Sequence, residues 1–174
     1  MLNYLNNMTT QRLPWLVLAA IAIVFEVIAL YFQYGMGLGP CVMCIYQRTA
    51  ILGIAIAGLI GSIAPQYFII RLAGFSIWGY STIKGLLIAL EHVDIQINPS
   101  PFFSCAFRPD FPSWLPLDEM LPFFFRVDGD CAAITWQWLG WSMSQWMVVI
   151  FSGFTIALTV VVLNRLRPSN QFLI

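Results

Sequence analysis

The sequence predicts an all-α membrane protein, a four-transmembrane-helix bundle with one long loop on its outer side, and three observations carry that expectation. Of the 174 residues, 60% are hydrophobic and only 9% charged, with a mean hydropathy of +0.81. A soluble domain so poor in charge lacks the polar surface that keeps it dissolved. Four stretches, about residues 14–34, 44–64, 67–90 and 146–163, are long and apolar enough to cross a hydrocarbon core, which takes roughly 20 helical residues. None alternates as a barrel strand does, and in lipid a helix satisfies its own backbone.

The first stretch is longer than the apolar core of a signal peptide and ends in bulky Tyr31, Phe32 and Tyr34, so it reads as a retained span. The second opens after Gly39-Pro40, the third follows the Pro65-Gln66 turn, and the fourth starts at Trp146. The chain 1–174 thus reads as a single membrane domain with both termini on one side. Arg12, Arg71, Arg165 and Arg167 flank the spans on that side without any acid, which makes it cytoplasmic by the positive-inside rule. Seven of the eight acids, Glu91, Asp94, Asp110, Asp118, Glu119, Asp128 and Asp130, fall on the other side. The outer loops are then about 35–43 and 91–145. Six of the ten prolines lie between Pro99 and Pro122 and favour extended, turn-rich backbone there. The stretch from Trp114 to Phe125 mixes aromatics with Asp118 and Glu119, which suits either a segment lying along the membrane surface or a hydrophobic plug. Zero net charge and the absence of like-charge runs exclude nucleic acid as a partner on electrostatic grounds.

All four cysteines fall in or beside the outer loops. Cys41-Val42-Met43-Cys44 opens the second helix just after Pro40, which sets both sulfurs on one face, close enough to close a disulfide. The positive end of the helix dipole acidifies thiols placed on it, and Cys44, facing the bilayer, is the expected reactive thiolate. Cys105 and Cys131 complete a Cys₄ zinc set on paper but lack the second C-x-x-C knuckle. Two inert stabilising disulfides are the other alternative. A disulfide across three residues closes a minimal loop and stabilises little, so redox work is the better use of Cys41 and Cys44.

The run Pro40-Cys41-Val42-Met43-Cys44-Ile45-Tyr46-Gln47-Arg48, with Glu91-His92, Pro99-Ser100-Pro101-Phe102, Cys105, Trp114-Leu115-Pro116-Leu117-Asp118 and Gly129-Asp130-Cys131, resembles the disulfide bond formation protein B (DsbB) family from Trp15 to the fourth helix. The resemblance implies a bacterial inner-membrane quinone reductase that reoxidises a periplasmic DsbA-like thiol oxidase, with ubiquinone or menaquinone as cofactor and the respiratory chain beyond. It implies that Cys105 is attacked by the partner's thiol, that Cys131 is its disulfide mate, and that Cys41 exchanges with this loop pair. Cys44 then faces the quinone as thiolate donor or adduct, and Arg48 polarises the ring. Gln47 departs from the acid that relatives often carry before the arginine.

The buried charges fit this expectation. Arg48 lies one turn after Cys44, on the face where a guanidinium stabilises a thiolate and a developing oxyanion. Glu26 sits about 12 Å below the outer end of its helix and Lys84 about 9 Å below the end of the third, so either a contact of Glu26 with Arg48 or Lys84 or a neutral, hydrogen-bonded Glu26 is expected. His92, at the outer end of the third helix, suits hydrogen bonding to a quinone carbonyl or proton transfer. Two rivals are a vitamin-K-epoxide-reductase-like enzyme, whose loop cysteines are expected before the membrane pair, and a non-enzymatic assembly partner with structural disulfides.

Overall fold

The computed structural model describes residues 10–98, 109–111 and 116–166. Helix α1 (Arg12–Leu30) runs on into a π-helical turn, Tyr31–Gly35. It is followed by α2 (Val42–Ile63) and α3 (Phe68–Ile97). Two single-turn helices, α4 (Leu117–Met120) and α5 (Pro122–Phe125), and a hairpin of β1 (Gln137–Trp138) and β2 (Trp141–Ser142) lead to α6 (Met143–Leu166). Four helices are long and apolar enough to span a bilayer. Helix α3 continues to Ile97 rather than ending at Leu90, because no Gly or Pro interrupts Glu91 to Asn98 and the helix simply emerges from the apolar layer. His92 therefore lies inside the helix, buried, and not at a wetted end.

Packing runs from α1 to α2, α2 to α3 and α3 to α6, and the Phe25 and Phe154 rings, 6.1 Å apart edge to face, join α6 back to α1. The core gathers Trp15, Leu18, Ile51, Ile54, Trp78, Phe151 and Phe154 with alanines between them. In lipid, helices gain from close approach more than from hydrophobic exclusion, so small residues mark the contacts. A Cβ at Gly58 would lie 2.7 Å from the Trp15 carbonyl oxygen and the Ala19 nitrogen, so only glycine lets α1 and α2 meet there. Outward apolar side chains such as Ile69, which is 78% exposed, face lipid.

The segments between the long helices are tied to the C-x-x-C end of the bundle by specific contacts. Tyr34 stacks on Phe123 at 4.6 Å and donates to its carbonyl at 2.7 Å. Phe125 is buried against Phe111 and Phe124, whereas Met120, Leu121 and Phe123 stay exposed. Among its described residues the segment thus buries Phe125 and offers Met120, Leu121 and Phe123 as apolar surface; Pro112 to Leu115 lie outside the described residues. The hairpin was not foreseen. Leu139 (φ 54°) and Gly140 (φ 79°) turn it, as two-residue hairpin turns require. Ser142 donates to Gln96 Oε1 at 2.9 Å, and Ser144 bonds the same oxygen, which fastens the start of α6 to the end of α3. The amides of Asp128 and Gly129 both donate to the Pro40 carbonyl, at 3.0 and 3.1 Å. That pair of bonds carries Cys131 to the start of α2.

Candidate functional site

Cys41 is the N-cap of α2, with extended backbone (φ −82°, ψ 171°), and its sulfur accepts the Cys44 amide at 3.3 Å. Capping leaves the two sulfurs 2.7 Å apart as free thiols, so a bond of about 2.05 Å closes with little backbone movement. The contact with Cys44 and burial push the Cys41 thiol up, and the His92 contact opposes them. His92 Nε2 is 3.7 Å from Cys41 Sγ and 3.2 Å from the Cys131 carbonyl oxygen, while Nδ1 is 3.3 Å from Gln47 Nε2. Cys131 is fully buried and disulfide-bonded. Its expected mate, Cys105, lies outside the described residues.

One turn below, Arg48 Nε donates to Glu26 Oε1 at 2.8 Å and Nη1 to Gln33 Oε1 at 2.7 Å. Both charged side chains are buried. Among the described residues Arg48 Nη2 and Glu26 Oε2 have no hydrogen-bond partner. Both side chains line a cavity of about 350 Å³ between α1, α2 and α6, which also takes in Cys44, Gln47, Phe32, Trp136, Trp146 and Met147. It is a predominantly apolar chamber with a few polar groups on one side, the usual makeup of a small-molecule site.

A family model described as Disulfide bond formation protein DsbB matches residues 11–161. The chain belongs to the DsbB family. Relatives named Disulfide bond formation protein B include one from Photobacterium profundum, 50% identical over 164 residues (94% of this chain and 93% of the relative). Others are from Aeromonas salmonicida, 49% identical over 166 residues (95% and 96%), and Vibrio cholerae, 47% identical over 170 residues (98% of each). The protein is accordingly a multi-pass membrane protein of disulfide bond formation, a protein-disulfide oxidoreductase.

Within this DsbB-family bundle, Cys41, Cys44, Arg48, His92 and Cys131 come together around the start of α2. Of the two contacts foreseen for Glu26, Arg48 forms and Lys84 does not: Lys84 is exposed and lines a separate groove between α2 and α3. His92 is not among the residues lining the chamber; its Nε2 faces Cys41 and Cys131, and its Nδ1 meets Gln47, which does line the chamber. Two residues escaped the sequence reading. Gln33 stands seven positions after Glu26, two turns along the same face, a spacing that could have drawn attention to it. Gln47 was noted only as a departure, yet it is buried on the His92 ring.

Removing one partner of a buried ion pair strands the other charge. Glu26→Leu and Arg48→Met should each lower stability by about 3–5 kcal/mol, and the double variant should lose much less than their sum. Unfolding of the detergent-solubilised protein measures this; strictly additive losses would show that the two charges do not depend on each other.

Proposed function

We propose that the protein reoxidises a periplasmic DsbA-like dithiol oxidase, passing the electron pair through Cys105–Cys131 and Cys41–Cys44 to a membrane quinone, ubiquinone or menaquinone. The observation that carries this reading is the shared chamber wall, where Cys44 stands one turn from a buried guanidinium whose Nη2 has no hydrogen-bond partner among the described residues. These residues fit a quinone: the apolar chamber suits a flat ring, and Nη2–H suits its carbonyl oxygen. A bound quinone supplies an acceptor for two electrons and two protons. A DsbA-type disulfide has a potential of about −120 mV, so its regeneration requires an acceptor at least as oxidising.

The chain's own residues divide the work. Cys105 takes the partner's thiolate, the bond to Cys131 breaks, and the electron pair leaves on Cys131. The Cys131 backbone shares the His92 ring nitrogen with Cys41 Sγ, so exchange between the loop pair and the membrane pair requires only short travel. Attack on Cys41 then releases Cys44 as a thiolate beside Arg48 and the helix N-terminus, both of which favour negative charge. Glu26 and Gln33 hold the guanidinium in the chamber wall through Nε and Nη1, and the Nη2 amino group is buried without a partner among the described residues.

The same reading sets the protein in the bacterial inner membrane with both termini cytoplasmic and the cysteine loops periplasmic. Supporting it, Arg12 begins α1, and Arg71 near the start of α3 and Arg165 near the end of α6 are close enough for their charges to interact. The C-x-x-C pair lies at the opposite end of α2 from the Pro65 turn.

With a reduced DsbA-like donor, the purified protein should reduce ubiquinone. Arg48→Met should raise the KM for quinone and lower kcat by at least about tenfold, since one lost oxyanion donor costs about 10²–10³ in rate. Cys44→Ser should abolish quinone reduction yet still trap a single-cysteine partner on Cys105. Unchanged quinone kinetics in Arg48→Met, or loss of the mixed disulfide in Cys44→Ser, would overturn the division of labour.

Sidedness is tested separately. After reduction, an impermeant thiol reagent added to spheroplasts should label Cys105 and Cys131, and a tag after Arg167 should stay protected from external protease. Labelling only after the inner face is opened would reverse the topology and remove the oxidising compartment that the relay needs.

A further inference from the structure

We infer that Gln47 and the Cys131 carbonyl hold His92 in its neutral Nε2–H form, and that this N–H is the hydrogen-bond donor to the Cys41 sulfur when a thiolate is released there. His92 touches a reacting atom; Gln47 acts through it as a positioning residue. The inference rests on the thiol relay proposed above and refines its return step, in which a thiolate bonds to Cys131 of the Cys41–Cys131 mixed disulfide and Cys41 leaves.

The tautomer follows from the partners. A backbone carbonyl only accepts, so His92 Nε2, 3.2 Å from the Cys131 oxygen, carries the proton. A neutral imidazole then has a bare Nδ1, and the Gln47 amide nitrogen at 3.3 Å donates to it. Cys41 is 3% exposed, Gln47 3%, His92 4% and Cys131 0%, so a mismatched donor or acceptor here has no water to turn to. The carbonyl belongs to the backbone, so it selects the same tautomer whichever sulfur Cys131 is joined to.

The Nε2–H group also lies 3.7 Å from Cys41 Sγ. When a disulfide at Cys41 is exchanged away, the incoming thiolate bonds to the other sulfur, the S–S bond breaks, and its electron pair leaves on Cys41. The neighbouring Cys44 sulfur and burial both disfavour that charge, and the His92 contact favours it. The proton stays on Nε2 throughout. Gln47 supports the neutral ring with its NH₂ group; a carboxylate in its place accepts only, and so places a proton on Nδ1 as well.

The chain has one histidine, so ¹⁵N-imidazole labelling of the full-length protein in nanodiscs reports on His92 alone. The wild-type spectrum should show a protonated Nε2 and a bare Nδ1, and Gln47→Glu should protonate Nδ1. The paired kinetic readout is the opening of the Cys41–Cys44 disulfide by dithiothreitol, where attack on Cys44 expels Cys41 and a second dithiothreitol thiol completes the reduction. Expulsion of Cys41 should slow roughly tenfold in His92→Phe, the loss of one hydrogen bond to a charged group. It should slow in Gln47→Leu and be restored or accelerated in Gln47→Glu. A wild-type ring protonated at Nδ1 and bare at Nε2 would overturn the inference, as would equal slowing by Leu and Glu at position 47. The wild-type spectrum decides even if a variant fails to fold. No quinone takes part, so a protein that passes this test and fails to reduce quinone refutes the proposed function and leaves the His92 assignment intact.

Discussion

A guanidinium buried between lipid-facing helices has to be paired, and the way Arg48 is paired organises the rest of the site. An unpaired charge in this environment costs several kcal/mol, so α1 supplies Glu26 from its middle and Gln33 from its π-helical turn. The two contacts occupy Nε and Nη1 and leave Nη2 without a partner among the described residues. The approach of α1 to α2 that makes this possible depends on Gly58, where the backbone of α1 fills the space of a side chain. Packing and electrostatics therefore meet in one requirement: α1 has to lie close enough to α2 to neutralise a buried Arg48.

The thiol side obeys a different constraint. A helix N-terminus needs its first amides satisfied, and Cys41 satisfies one with sulfur, which sets Cys44 at bonding distance. The Pro40 carbonyl, just before the helix, accepts two amides from the Asp128-Gly129 turn. Gly129 packs so closely on the Gly39 carbonyl that a side chain would not fit. These local bonds hold two loops, far apart in sequence, against one imidazole. The site has two compartments on neighbouring turns of α2: thiols and His92 at the mouth, Arg48 and the apolar chamber below.

Much of this was legible in the sequence because bilayers impose simple rules. Uninterrupted apolar length identified the spans, and the Pro-Cys-x-x-Cys opening identified a helix start with paired sulfurs on one face. Helix boundaries were less legible: Glu91 and Asp94 look like the start of a loop by polarity, but neither breaks a helix, and α3 runs on to Ile97. The spacing of Cys44 and Arg48 pointed to one face, and Glu26 was expected as a partner from the cost of its burial alone. Gln33 and Gln47 carry no charge to explain, so polarity arguments passed over them. The expected role of His92 toward a ring rested on its chemistry at the outer end of the third helix; that its ring nitrogens lie against Cys41, Cys131 and Gln47 follows from long-range packing that no local pattern encodes. The Trp138 to Trp141 hairpin was missed for a similar reason, since its Leu-Gly turn lacks the usual Asn or Asp.

The central claim is that the chamber beside Cys44 and Arg48 receives the quinone ring, and photo-crosslinking tests it most directly. A photoreactive quinone analogue, irradiated with the purified full-length protein and mapped by mass spectrometry, should label chamber residues such as Ile28, Phe32 and Met147. The labelling should be displaced by excess ubiquinone and lost in Arg48→Met. Saturable labelling confined to the groove between α2 and α3, at residues such as Tyr80, Lys84 and Ile88, would contradict the account.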